Sequence, residues 1–489
     1  MRFQRRRVLG GVGPWLTSGD GGLSDLNARV RRCFGDYAVD KRLAYELQLA
    51  KLPRYVSEYL ISEFQPTGSG WEDRLRRFVR EHYFEPEEKE VVKHRLVTEG
   101  RVRVVDELRV YVELETKSHI GVIQSLDIAV EVPADIVEKN KATLITGMWG
   151  LITIERNPVA EMGRPPAIVT DFKPFQAPDI DPRILREARD CFNLDEWVEV
   201  LINTVGLEPR VYSQRQRMLL LSRLVPVIEG NVNMVEFGPR QTGKTYLYRN
   251  VSNYVRIIAG GSVSPAVLFY NLRTRVPVEL AVKDVVVFDE VSKVRFPNPD
   301  EMMGKIKDYM ESGVYERGDR KVTSDASLVF MGNVSVEASE GGYIPVEDLT
   351  YVLPEPMRDS AFIDRVHGLI PGWELPKISQ SKYHLAKGYG VASDYFAEAI
   401  HTMRKESLTQ LVAKHIEFSD NFKIRDETAV KRVASGLLKL LFPNETFTNT
   451  ELRTVVELAL ELRQRVRDWL HKIAPGEFPK EKLYVKVLP

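Results

Sequence analysis

Apolar residues recur at helical spacing from Leu23 to about Glu88. Leu43, Leu47 and Leu49-Ala50 begin the stripe, and Tyr55, Tyr59, Leu60 and Phe64 carry it to a break at Pro66-Thr67-Gly68. Trp71 to Tyr83 is a second amphipathic stretch, with Leu75, Phe78 and Val79 set among charges. The texture changes near Val91. Val102, Val104 and Val105 lead into Leu108, Val110, Val112 and Leu114, which take every second position, and 120–132 and 143–154 are further strand-like runs. Short strands in series predict a small barrel or sandwich. Pro158, Pro165, Pro166, Pro174, Pro178 and Pro182 then crowd one stretch, which reads as an extended linker. Helical spacing returns with Glu196-Trp197-Val198 and from Arg217 to Ile228. Strands and helices then alternate to about Asn333, the pattern of a parallel α/β sheet. Beyond Trp373 the chain reads as helical to about Ile473, best over Val430 to Leu441 and Leu452 to Leu470.

The expected organisation is a multidomain α/β chain. It divides into a disordered tail (1–22), an N-terminal helical region (23–90), a β-rich subdomain (91–158), a Pro-rich linker (159–194), a parallel α/β core (195–375) and a helical lid and tail (376–489). Composition adds three constraints. The 489 residues carry 69 Lys plus Arg against 69 Asp plus Glu, so any nucleic-acid contact must come from local patches and not from a global positive field. Cys33 and Cys191 are the two cysteines and match no metal spacing, which predicts no disulfide framework and a reducing, cytoplasmic compartment. No apolar run is long enough to cross a membrane. Arg5, Arg6 and Arg7 precede a small-residue stretch as in a secretory signal, but Pro14 and Thr17-Ser18-Gly19-Asp20 leave no apolar centre.

The chemistry is carried by Gly238-Pro239-Arg240-Gln241-Thr242-Gly243-Lys244-Thr245, which fits G-x-x-x-x-G-K-[ST] after the short apolar strand Met234 to Phe237. Glycines let the backbone wrap a phosphate, and N–H groups at a helix start point inward. Lys244 is expected on the β- and γ-phosphates of ATP, and Thr245 on Mg²⁺. Val285-Val286-Val287-Phe288-Asp289-Glu290 reads as a buried strand ending in two carboxylates. Asp289 is expected in the Mg²⁺ shell, and Glu290 as the group that polarises the attacking water. Leu328 to Met331 predicts another strand, with Asn333 beyond it as a sensor of the γ-phosphate or the water.

Three arginine readings follow. Arg365, in Phe362-Ile363-Asp364-Arg365, is a candidate finger for a neighbour's site, with Arg358 as runner-up and an ion pair to Asp364 or Asp359 as the plainer alternative. Arg404 could contact the γ-phosphate from its own chain. Gly313 to Val322 predicts a hairpin whose Arg317, Arg320 and Lys321 either touch a nucleic-acid backbone or are merely solvated.

The run from Met234 to Thr245 resembles the AAA+ core of the Lon-like protein of BREX phage-defence systems, the BrxL family. So do Val287 to Glu290, Lys307 to Gly313, Phe362 to Arg365 and Ile370 to Glu374, with Arg425 to Val430 and Ser435 to Leu441 similar to its helical region. The likeness extends from about Leu23 to the end and is weaker upstream, at Gly147-Met148-Trp149 and Glu196-Trp197. It implies an AAA+ ATPase of bacterial or archaeal anti-phage defence, with a motor similar to ring helicases of the minichromosome-maintenance type. Hexameric rings, possibly doubled, DNA binding and other BREX proteins as partners are implied with it. The family commonly continues into a Lon-like domain, which carries a Ser–Lys dyad in Lon proteases. Only 17 residues follow Lys472 here, so protease activity is not expected. A protein-remodelling ATPase gripping peptides with Tyr315, and a nucleotide-gated scaffold, are the alternatives.

Overall fold

The computed structural model describes residues 22–488 except 48, 50, 124, 145–146, 158–159, 161–163, 176–179, 272–275, 278, 318–319, 340–341 and 379–380. The expected N-terminal tail lies outside this range except for its last residue, Gly22, which opens a helix. The chain forms two compact units: residues up to Ile180 together with Gly388–Tyr395, and Asp181–Lys387 together with Phe396–Pro489.

In the first unit, Trp71, Leu75 and Val79 fall on one face of the helix Trp71–His82 and are buried. The strands β1 (Arg101–Glu113), β2 (Ser118–Ile123), β3 (Ile128–Glu131), β4 (Met148–Arg156) and β5 (Ala167–Pro174) close into a barrel in the order β1-β2-β3-β5-β4. The β3–β5 pair is parallel and the other pairs are antiparallel. Of the two folds the alternation allowed, the barrel is the one formed. Val102, Val104, Leu108 and Val110 fill its interior, whereas Val105 points outward and packs with Leu151, Tyr59 and Leu60 under the helices. That outward burial explains why alternation breaks at Val104-Val105.

Two expectations shift. Residues Lys89–Glu99 are helical, so strand structure starts at Arg101. Ala167–Pro174, inside the expected linker, is the closing barrel strand, because the prolines bound an apolar core of Ile168-Val169 without interrupting it. The strand Tyr389–Val391 also joins this unit, pairing antiparallel with Ala38–Asp40. Buried charges fasten it there. Lys41 Nζ donates to Glu58 Oε2 at 2.7 Å and to Ser393 Oγ at 3.2 Å, and Ser393 N donates to Glu58 Oε2 at 2.9 Å.

The second unit is built on a parallel sheet: β6 (Met234–Gly238), β7 (Val255–Ser262), β8 (Val285–Arg295), β9 (Ser327–Asn333) and β10 (Gly368–Pro371), in the order β10-β6-β9-β8-β7. Val285 to Phe288 are wholly buried because both faces of the sheet are covered, which is why this strand reads as a continuous apolar run. The helix Asn449–Ile473 lies against β10, and its Trp469 meets Phe237 of β6 edge-on at 5.7 Å. Among the described residues no helix is long and apolar enough to cross a membrane. Neither Cys33 nor Cys191 is a free thiol. This departs from the sequence expectation of no disulfide.

Candidate functional site

β6 delivers the loop 238–243 to the start of the helix Lys244–Val251. Gly238 is confined by the turn that follows β10: a Cβ there would stand 2.5 Å from the Gly372 carbonyl carbon. Gly243 takes φ +77°, the left-handed conformation that lets the chain turn into the helix. Lys244 folds back over the loop, donating from Nζ to the carbonyls of Gly238 at 3.0 Å and Pro239 at 2.9 Å. Burial lowers its ammonium pKa from the ordinary value, with Glu236 opposing.

The two expected motifs meet. Thr245 Oγ1 donates to Asp289 Oδ2 at 2.7 Å, joining the helix start to β8. Asp289 Oδ1 accepts the Glu290 amide at 2.9 Å, which supports Glu290 at φ +48°. The β8–β7 register jumps between Asp289↔Ala259 and Val294↔Gly261. This bulge brings Lys293 to Glu290, with Nζ 2.8 Å from Oε2. The hydrogen bond from Lys293 holds the Glu290 carboxyl below its usual range. β9 lies between β6 and β8, and its Asn333 is the register partner of Gly238, which sets this exposed side chain beside the loop.

These donors suit a magnesium nucleotide. A hydroxyl and a carboxylate side by side are hard oxygen ligands, and among the described residues no cluster of three or more His, Cys, Asp or Glu forms a metal cage. Mg²⁺ characteristically takes one or two protein oxygens and completes its shell with phosphates and water. The carbonyls now holding Lys244 are contacts that a phosphate could replace.

One pair was not singled out from sequence. Arg223, wholly buried, donates from Nε and Nη2 to Glu236 of β6 at 2.9 and 2.6 Å, and from Nη1 to the Thr242 carbonyl at 3.1 Å. The available signal was a charge of each sign inside an apolar run, Leu219 to Ile228 and Met234 to Phe237.

Other expected residues stand elsewhere. Arg365 donates from Nη1 to the Ala361 carbonyl at 2.7 Å and lies 3.2 Å from Glu311; Asp364 pairs instead with Arg425 and Arg463. Arg358 donates to the Leu353 carbonyl at 2.9 Å and covers the Tyr351 ring. Arg404 is a correction. Its guanidinium is buried among the carbonyls of Pro226, Glu229 and Asp325 and the Ser327 hydroxyl, at the amino ends of β6 and β9. The loop 238–245 is at the opposite, carboxyl ends, so Arg404 serves the fold there.

The hairpin forms as expected, Val314–Arg317 against Arg320–Thr323. Its tip, 318–319, and the side chains of Arg317 and Arg320 lie outside the described residues. Lys321 is exposed, 3.7 Å from Glu316. Tyr315 is not the exposed grip the remodelling alternative needs: it is buried between Phe269 and Tyr309, at ring distances of 5.1 and 6.1 Å.

Comparison with known proteins finds two family matches. Residues 167–484 match "Lon-like protease BrxL-like, ATPase domain", and residues 32–156 match "BREX system Lon protease-like protein BrxL N-terminal". The Lon-like protease BrxL of Escherichia coli O9:H4 (strain HS) is 34% identical over 467 residues, covering 93% of this chain and 66% of that protein. The protein of the same name from Bacillus cereus (strain H3081.97) is 32% identical over 465 residues, covering 93% and 68%. The chain thus spans about two thirds of the length of the curated relatives it matches.

Proposed function

The chain belongs to the BrxL family of BREX-associated Lon-like proteins and carries that family's ATPase domain, and from this premise we propose that it is an ATP-hydrolysing AAA+ ring motor that engages DNA in anti-phage defence. The observation that carries the ATPase reading is the Thr245–Asp289 hydrogen bond beside a buried Lys244. It joins a phosphate-cradling loop to a carboxylate at the carboxyl ends of a parallel sheet, where ligands of such sheets bind.

The residues divide the work as follows. Amides of 238–245 surround the phosphates, and Lys244 exchanges the Gly238 and Pro239 carbonyls for the β- and γ-phosphates. Thr245 and Asp289 would hold Mg²⁺, which would supply charge to offset that developing on the transferred phosphoryl group. Glu290, released from Lys293, orients and polarises the attacking water, with Asn333 alongside. Arg365, exchanging Glu311 for a neighbour's γ-phosphate in a hexameric ring, supplies the remaining positive charge. Other BREX proteins are the expected partners.

DNA engagement rests on two features. The barrel's strand order, with its single parallel pair, is that of an OB-fold, a fold whose β2–β3 face binds oligonucleotides in many proteins. The 314–323 hairpin adds an exposed Lys321. The burial of Tyr315 counts against peptide gripping by that hairpin.

The test is steady-state ATP hydrolysis with and without duplex DNA at physiological salt, with Lys244→Ala as the blank. DNA-stimulated turnover, absent from the blank, is expected. Turnover indifferent to DNA would shift the reading to protein remodelling, and absence of turnover would leave a nucleotide-gated scaffold.

A further inference from the structure

Building on the nucleotide-binding reading above, we propose that Arg223 is a positioning residue: it holds the Thr242 carbonyl so that the Gly243 amide faces the nucleotide phosphates. The argument starts from the peptide bond. It is planar and trans, so the carbonyl of one residue and the N–H of the next point in opposite directions. Arg223 is wholly buried, and its Nη1 takes the Thr242 carbonyl at 3.1 Å. That carbonyl therefore points into the protein, and the Gly243 N–H points away from it, into the loop. The preceding peptide is held in the same manner. Ile378 N donates to the Gln241 carbonyl at 2.7 Å, which leaves the Thr242 N–H directed oppositely. Two successive amides are thus aimed by pinning their partner carbonyls, the arrangement an anion cradle requires.

An arginine suits this position because its planar fork makes several bonds in fixed directions. Nε and Nη2 lock onto both oxygens of Glu236, leaving Nη1 for the loop. Glu236 is itself anchored in the sheet, register-paired with Met331 of β9 and Ile370 of β10. Its carboxylate leaves no room for a side chain at Gly372, where a Cβ would stand 2.8 Å from Oε1. The loop is therefore referenced to three strands through one side chain.

The experiment is calorimetric titration of the full chain with Mg·ATP and Mg·ADP. Arg223→Met alone leaves Glu236 buried and unpaired, a strongly destabilising change. The informative variant is Arg223→Met with Glu236→Leu, which removes both charges at similar volume and so tends to preserve the fold. It is expected to melt with the wild type yet bind both nucleotides roughly 10–100-fold more weakly, the scale of one charge-assisted hydrogen bond. Arg223→Lys keeps the ion pair but not the fork, and an intermediate affinity is expected. Wild-type affinity for both nucleotides in either of these variants would overturn the proposal. A wild-type protein that binds neither nucleotide would instead overturn the ATPase reading and this inference with it.

Discussion

Thr245 and Asp289 stand 44 positions apart in sequence and 2.7 Å apart in space. Sequence made this meeting legible because each residue ends a motif whose chemistry demands the other: a hydroxyl and a carboxylate for one cation. Arg223 and Glu236 were not legible. Their function depends on burial without solvent, and a sequence does not say which arginine among many is enclosed. Arg404 shows the converse: its position in a helix suggested a phosphate contact, whereas five backbone and side-chain acceptors at the far end of the sheet hold it.

The contact between Lys293 and Glu290 yields a pH prediction at the same scale. Lys293 keeps the Glu290 carboxyl ionised to lower pH than usual, so a base at that position stays competent further into acid. Lys293→Met lets the group titrate closer to an ordinary carboxyl, about 4.3. The acid limb of the kcat/KM profile, which reports the free enzyme where Lys293 still holds Glu290, is expected to move to higher pH in this variant. An unmoved limb would show that Glu290 does not set it.

At the scale of elements, two carboxylates in the first unit respond to pH in opposite senses. Burial alone would raise the Glu58 carboxyl, but Lys41 and Arg54 overcome it and hold it at about 2. Its contribution to stability is present above the unfolded value, about 4.3, and is lost as pH falls toward about 2. Wild-type protein monitored by circular dichroism is therefore expected to lose this unit's helices on acidification below pH 4. Glu58→Gln should flatten that dependence while lowering stability at pH 7 by ~3–5 kcal/mol, since it breaks a buried pair.

Asp106 of the barrel runs the other way. Burial pushes its carboxyl up to about 6, against hydrogen bonds from Ser125 and the Glu107 amide. The raised value means that the protonated form is favoured in the fold, so stability is full below the unfolded value and falls as pH rises through 6. Asp106→Asn is expected to stabilise the protein at pH 7.5 by ~1–2 kcal/mol in urea titrations, with no gain at pH 4.

The strands holding these residues were visible from alternation. The helix over 89–99 was not, because Val91, Val92 and Val97 belong to the β-branched residues that favour strands. The closing strand Ala167–Pro174 was hidden by the prolines around it. The short strand Tyr389–Val391 carries too few residues to show a period at all.

For the whole molecule, zero net charge means that any DNA affinity must come from local patches. Replacing Arg317, Arg320 and Lys321 together with Gln is expected to weaken DNA binding and reduce the log–log salt slope by roughly 2–3, about one per lost phosphate contact. Nucleotide affinity should be spared. Unchanged DNA affinity at every salt concentration would remove the hairpin from the DNA interface.

The strand Tyr389–Val391 closes onto Ala38–Asp40 only after the 207 residues of Asp181–Lys387 have been made. On the ribosome that delay amounts to roughly 10–40 s at 5–20 residues per second. Throughout it Lys41 and Glu58 lack Ser393, and the Ala38–Asp40 edge is open to mispairing. A fragment expressed to residue 180 would carry that open edge permanently. Anyone separating the first unit from the second will therefore need to supply 388–395 in trans or by fusion.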